Sequence, residues 1–274
     1  MKSIGEVLKL SVGFLQERHI ERPRPIVEAL LSFVLHMKKM DLYLQYDKPL
    51  LQEELQMLRN LIKRCAQGEP VEYVVGEVEF FGCQIQVDRR VLIPRPETEI
   101  LVDLIAKEVS SGVVWDICSG SGCIGIALKK KHPALQVTLS DLSNDAMAIA
   151  LQNAHINQVE VECLQGDLFA PFAGRQADVI VCNPPYISAM EYETLDPSVR
   201  LFEPRLALEA GVKGIEYYEK IASLLPLYLK PEGKLYLEIG STQADAVHAI
   251  FGQGKVLRDW ANHPRFYVIS HWKG

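Results

Sequence analysis

The four residues Asn183-Pro184-Pro185-Tyr186 follow directly on the apolar run "VIVC" at 179–182 and hold much of the chemical content of the chain. A strand that ends on a carboxamide and then on two prolines fixes its polar groups, because proline has no N–H and restrains the backbone of the residue before it. The Asn183 side-chain oxygen and the Pro184 carbonyl are two acceptors suited to both N–H groups of a planar amine or amide. The nitrogen of such a group is a poor nucleophile, since its lone pair is delocalised. Held by two acceptors, that pair can be aimed at an electrophile, so the corner suits alkylation of nitrogen, with Tyr186 packed on the planar group. The competing reading is an ordinary turn after a strand.

A second constellation lies upstream. In "VVWDICSGSGCIGIAL", Gly120, Gly122 and Gly125 satisfy GxGxxG, and Asp141 falls near the end of the following strand. That spacing is the general nucleotide fingerprint, although a tight strand-to-helix turn also calls for small residues. Asp116 sits inside this turn, where its charge would repel a pyrophosphate and attract the ammonium group of a methionine tail. The favoured ligand is therefore S-adenosylmethionine. Asp167 and Leu168, after the third strand, suit the exocyclic amine and ring face of adenine. Asp116, Asp141 and Asp167 then close three successive strand ends around one nucleoside.

The elements needed to position these groups are legible as short apolar strands at 113–117, 136–140, 160–163, 178–182, 234–239 and 265–270. Helical patterns at 98–109, 122–131, 143–156, 213–229 and 241–251 separate most of them, which predicts an α/β domain with a mostly parallel sheet covered on both faces. The first part of the chain reads as a small helical bundle. Ser3 and Glu6 fit a capping box, Ile26, Ala29, Leu30, Phe33 and Val34 form one stripe, and Leu51, Leu55, Leu58 and Ile62 form another. "EVEFFGCQIQVD" predicts a β-hairpin centred on Gly82. The expected domains are a bundle at 1–72, a hairpin linker at 73–95 and a catalytic domain at 96–274.

The net charge of −6 counts against a protein that grips a nucleic-acid backbone. The six cysteines include no CxxC pair, so free thiols are expected rather than a metal site. Charged residues interrupt the N-terminal segment, and no stretch has the length and apolarity of a membrane span, so a cytoplasmic protein is expected with no membrane partner.

With these motifs in place, the chain resembles the class I S-adenosylmethionine-dependent methyltransferases, which have a Rossmann-like fold. NPPY is shared there by enzymes that methylate the exocyclic nitrogen of adenine and by those that methylate the side-chain amide of glutamine, and by itself it leaves both open. The flanks resemble the release factor glutamine methyltransferases (the PrmC/HemK family). The matching segments are "EYVVGEVEFFG" at 72–82, "VLIPRPETEILVD" at 91–103, "FEPRLALEAGVKGIEYY" at 202–218 and "LYLEIGSTQADAV" at 235–247.

The resemblance implies methyl transfer to the glutamine of the GGQ loop of bacterial-type class I peptide chain release factors. The products would be N5-methylglutamine and S-adenosylhomocysteine, and the bundle would help to engage the release factor. It further implies cofactor contacts at Cys118, Ser119, Gly120, Ser121, Gly122, Asp141, Asp167, Leu168 and Asn183, beside Asp116, and substrate contacts at Asn183, Pro184, Pro185 and Tyr186. The alternatives are an adenine-N6 nucleic-acid methyltransferase and a ribosomal-protein glutamine methyltransferase. The acidic balance argues against the first and the PRPETE segment against the second. The chain departs from the family at Cys118, where glycine is common, at Leu168, where tryptophan is frequent, and at Lys213, where aspartate is usual.

Overall fold

A computed structural model describes residues 2–273. The chain forms two units: the residues up to Gly76 together with Pro197–Phe202, and the remainder from Glu77 onward. No helix among the described residues is long and apolar enough to cross a membrane.

The first unit is helical, with α1 (Ile4–Gln16), α2 (Pro23–Leu35), α3 (Lys39–Leu44), α4 (Gln52–Cys65) and α5 (Val71–Val75). Ser3 and Glu6 form the expected capping box: the Glu6 carboxylate accepts the Ser3 N–H at 2.8 Å, and Ser3 Oγ accepts the Glu6 N–H at 3.3 Å. The buried stripe of α2 differs from the expected one. Val27, Leu30, Leu31 and Val34 are buried, whereas Ile26, Ala29 and Phe33 are half-buried. This helix packs against both α1 and α4, so it buries a wider arc than a single-sided stripe. In α4 the stripe also shifts, because Leu51 is the exposed N-cap and Leu50 takes its place in the core. Buried Glu28 is held by Lys39 at 2.6 Å and Arg24 at 2.9 Å, with Tyr43 donating to the same carboxylate. Burial pushes its pKa up, but these partners together outweigh it and the net shift is downward.

The second unit opens with the antiparallel hairpin of β1 (Glu77–Phe80) and β2 (Cys83–Gln86). Its two-residue turn places Phe81 at φ +46° and Gly82 at φ +71°, the left-handed pair that matches strand twist. The chain continues through α6 (Pro96–Glu108), β3 (Gly112–Ile117), α7 (Cys123–Lys131), β4 (Leu135–Asp141), α8 (Asn144–Ile156) and β5 (Glu162–Gln165). Next come β6 (Ala177–Cys182), β7 (Ile187–Ser188), α9 (Ala189–Tyr192), α10 (Pro197–Phe202, counted with the first unit) and β8 (Glu209–Gly211). The chain then runs through α11 (Glu216–Tyr228), β9 (Leu229–Glu238), α12 (Ala244–Phe251), β10 (Lys255–Arg258) and β11 (Pro264–Ile269).

The main sheet has the order β10-β11-β9-β6-β3-β4-β5. The five strands from β5 to β9 are parallel, and β11 and β10 add on antiparallel. The expected α/β class with a mostly parallel sheet is borne out. The third strand lies two residues later than expected, at Glu162–Gln165. The edge strand β10 was not anticipated, since "KVLR" carries a charge at each end and only half-buries its two apolar residues. The expected helix at 213–229 starts only at Glu216. Chain order along the sheet reverses between β3 and β6, so the carboxyl ends of these two central strands open a crevice. The core around them includes Trp115, Phe169, Phe172, Ile180, Tyr218 and Tyr267, with Trp115 stacked on Phe172 at a centroid distance of 4.0 Å. An aromatic of this size, fully buried, stabilises its site by several kcal/mol, about 3–5 kcal/mol on truncation to alanine.

Candidate active site

Two glycines in the turn from β3 into α7, and a third within the first turn of the helix, act in different ways. Cys118, Gly120 and Gly122 all take positive φ, at +57°, +53° and +78°. The turn is closed by the Gly122 N–H donating to the Ser119 carbonyl at 2.8 Å and tied to β4 by the Ser119 N–H donating to the Ser140 carbonyl at 3.0 Å. A Cβ built on Gly120 meets nothing within 4 Å, so this face of the turn is open. At Gly122 a Cβ would lie 2.9 Å from Leu139, and at Gly125 it would lie 2.3 Å from Leu139 and 3.2 Å from Asp116. Those two glycines therefore serve close packing of α7 on the sheet, while Gly120 leaves its backbone open to the adjoining cavity.

Asp116 is fully buried behind this turn. Its Oδ2 accepts the Gly125 N–H at 2.8 Å, whereas its Oδ1 has no hydrogen-bond partner. Burial pushes its pKa up to about 7, against the smaller opposing pull of the Gly125 N–H. Asp141 ends β4 half-buried: Oδ2 accepts the Gly120 N–H at 2.9 Å and Oδ1 the Ser143 N–H at 2.9 Å. Burial raises its pKa as well, outweighing these bonds. After β5, Asp167 is exposed and Leu168 is buried at φ +46°.

One cavity gathers most of the residues anticipated from the sequence. Cys118, Ser119, Gly120 and Ser121 form one wall, Asp141 and Asp167 with Leu168 another, and Asn183 and Pro185 a third. Asp116, Gly122, Pro184 and Tyr186 are not among its lining residues. Pro184 and Pro185 are buried, and Asn183 is half-buried at the end of β6. No side chain or backbone group among the described residues hydrogen-bonds the Asn183 carboxamide. The Tyr186 ring packs against the main core, and burial pushes its hydroxyl up to about 12.

Several lining residues were not anticipated. Leu92, Pro94, Arg95 and Thr98 bring the PRPETE segment into the cavity wall, and Leu206 and Tyr217 come from the far side of the NPPY corner. Two buried acids hold that segment in place. Glu203 accepts the Ile93 N–H at 3.2 Å and pairs with Arg95 at 2.5 Å, and Glu238 accepts from Thr98 Oγ1 at 2.7 Å. Burial pushes Glu238 up to about 7. The readable signal was a carboxylate closing the apolar run "LYLEIG", where a buried acid needs a partner from elsewhere.

Residues 6–76 match the family model described as the PrmC N-terminal domain, and residues 96–202 match the Methyltransferase small domain. Among solved structures, a methyltransferase from Pyrococcus furiosus superposes with a TM-score of 0.55 at 17% identity, covering 71% of this chain and 91% of that one. This likeness carries the fold. The release factor glutamine methyltransferase of Geobacter sulfurreducens is 40% identical over 252 residues, covering 92% of this chain and 89% of its own length. The protein of the same name from Chlamydia trachomatis serovar L2 is 40% identical over 276 residues, 97% of this chain and 93% of the relative. Similarity of this extent in both units shows that the chain belongs to the release factor glutamine methyltransferase family.

Proposed function

We propose that the protein transfers a methyl group from S-adenosylmethionine to the side-chain amide nitrogen of the GGQ glutamine in bacterial-type class I peptide chain release factors. One observation carries the reading: a single cavity holds both the open glycine turn with its acidic strand ends and the unpaired carboxamide of Asn183. A nucleoside fits the first part. Gly120 leaves room for close approach, Asp141 keeps lone pairs for ribose hydroxyls, and Leu142, Ala146 and Leu168 offer apolar walls to a base. The partnerless Asp116 Oδ1 leaves a buried acceptor behind the turn, which suits an ammonium group reached directly or through water. When bound, S-adenosylmethionine supplies a methyl group on a positively charged sulfur that departs as a neutral thioether.

The chain's own residues supply position. Asn183 Oδ1 and the Pro184 carbonyl accept the two N–H groups of the glutamine amide, which turns the nitrogen lone pair toward the methyl group. Cys118 and Ser119 are assigned to the cofactor side, and Pro185 with the Tyr186 backbone to the substrate side. No strong base is required before transfer, because the methylated nitrogen can release its surplus proton to water. The helical bundle engages the release factor beyond its GGQ loop, a role supported by the N-terminal domain match. The net charge of −6 supports a protein substrate over a nucleic acid, and a translation factor as substrate supports a cytoplasmic location.

The test is mass spectrometry of a purified release factor after incubation with the enzyme and S-adenosylmethionine. A gain of one methyl group on the GGQ glutamine, absent in a GGA control, is expected. An unmodified glutamine sinks the proposal.

A further inference from the structure

Behind the NPPY corner lies a half-buried carboxamide that is not a lining residue of the cavity. Gln243 sits immediately before α12. Its Nε2 donates to the Tyr186 carbonyl at 2.8 Å and to the Gly214 carbonyl at 3.0 Å. Its Oε1 accepts the Gly240 N–H at 3.0 Å and is approached by the Tyr218 hydroxyl at 3.5 Å. One side chain therefore ties together the corner, the loop before α11 and the turn after β9, with both donors and its acceptor engaged.

The surroundings are fitted to this arrangement. A Cβ on Gly214, whose φ is +78°, would lie 2.7 Å from the Tyr186 carbonyl oxygen and 2.9 Å from Gln243 Nε2. The Glu216 carboxylate fixes the same loop by accepting the Lys213 N–H at 2.7 Å and the Ile215 N–H at 2.9 Å. Tyr217, the next residue, lines the cavity. Pro184 and Pro185 have no N–H to donate, so the corner is anchored beyond them through the Tyr186 carbonyl.

We infer that Gln243 is a positioning residue for methyl transfer: by holding the Tyr186 carbonyl it sets the angle at which Asn183 and Pro184 meet the amide. The inference rests on the proposed glutamine methylation. Gln243 contacts neither the glycine turn nor Asp141, so its loss should disturb turnover and spare nucleoside binding.

Two variants test this. Gln243→Glu keeps the shape but sets an oxygen against two carbonyls, and Gln243→Leu removes every polar contact. With release factor as substrate, kcat should fall about tenfold to hundredfold, the range expected for displacement of a reacting group by about 1 Å, while S-adenosylhomocysteine affinity stays within about threefold. Gln243→Glu should regain part of its kcat as pH is lowered, because the protonated acid restores one donor, whereas Gln243→Leu should not. Unchanged kcat overturns the inference, as does affinity falling in step with kcat, or failure of both variants to fold. A wild-type enzyme that leaves the release factor unmodified strikes the proposed function and removes this inference with it. An active wild type whose turnover is indifferent to Gln243 overturns this inference alone.

Discussion

Asn183 is the one polar side chain of the NPPY corner that reaches the cavity, and its carboxamide has no hydrogen-bond partner among the described residues. Removing it should therefore touch substrate orientation more than folding or cofactor capture. Asn183→Ala is expected to abolish measurable methyl transfer while S-adenosylhomocysteine still binds within a few-fold of wild type, as titration calorimetry would report. A parallel collapse of cofactor affinity would contradict the role assigned to it. Cys118 poses a different question at this scale. It takes φ +57°, a conformation that costs an L-residue about 1–2 kcal/mol and glycine nothing. The chain keeps a half-buried thiol there, packed against the core cluster that includes Cys182, the residue just before Asn183.

Among the elements, α7 shows how a motif divides its labour. Gly125 lies within the helix, and its missing Cβ lets the helix approach β4 while its N–H reaches Asp116. Gly125→Ala would push a methyl group to within 2.3 Å of Leu139. The expected cost is about 1–3 kcal/mol of stability from overpacking, read as a lower denaturant midpoint, with weakened cofactor binding as the turn shifts. This pattern was legible in advance because glycine spacing and strand hydrophobicity are local. Asp141 and Asn183 were legible for the same reason, each at or just beyond the end of an apolar strand, whereas Leu168 lies three residues past β5. Contacts such as Thr98 to Glu238 and Ile93 to Glu203 were not, since they join residues 140 and 110 positions apart. No periodicity reports which distant acid will meet a given hydroxyl or N–H. The hairpin's partners were hidden likewise. Asn153 on α8 and Asn157 at its C-terminal cap bond the β2 backbone at Gln86 and Gln84, imitating a neighbouring strand with side-chain amides.

For the whole molecule, the buried acids link the site to global stability. Asp116 and Glu238 are both pushed up to about 7 by burial. In each case the folded state holds its proton where the unfolded chain has lost it, so their contribution is fully present below the ordinary carboxylate range. It is lost as pH rises from that range to about 7. Glu28, shifted downward, acts in the opposite sense and loses its contribution as pH falls through its folded value. Asp116→Asn imitates the protonated acid at every pH. Its melting temperature should therefore gain on wild type as pH rises from about 5 to about 8, and a constant difference would refute the linkage. The proline pair of the NPPY corner has one further consequence. Pro184 and Pro185 carry no amide proton, so amide hydrogen exchange and amide-detected nuclear magnetic resonance are both blind between Asn183 and Tyr186. Motion at the centre of this enzyme will have to be followed through the side-chain NH2 signals of Asn183 and Gln243.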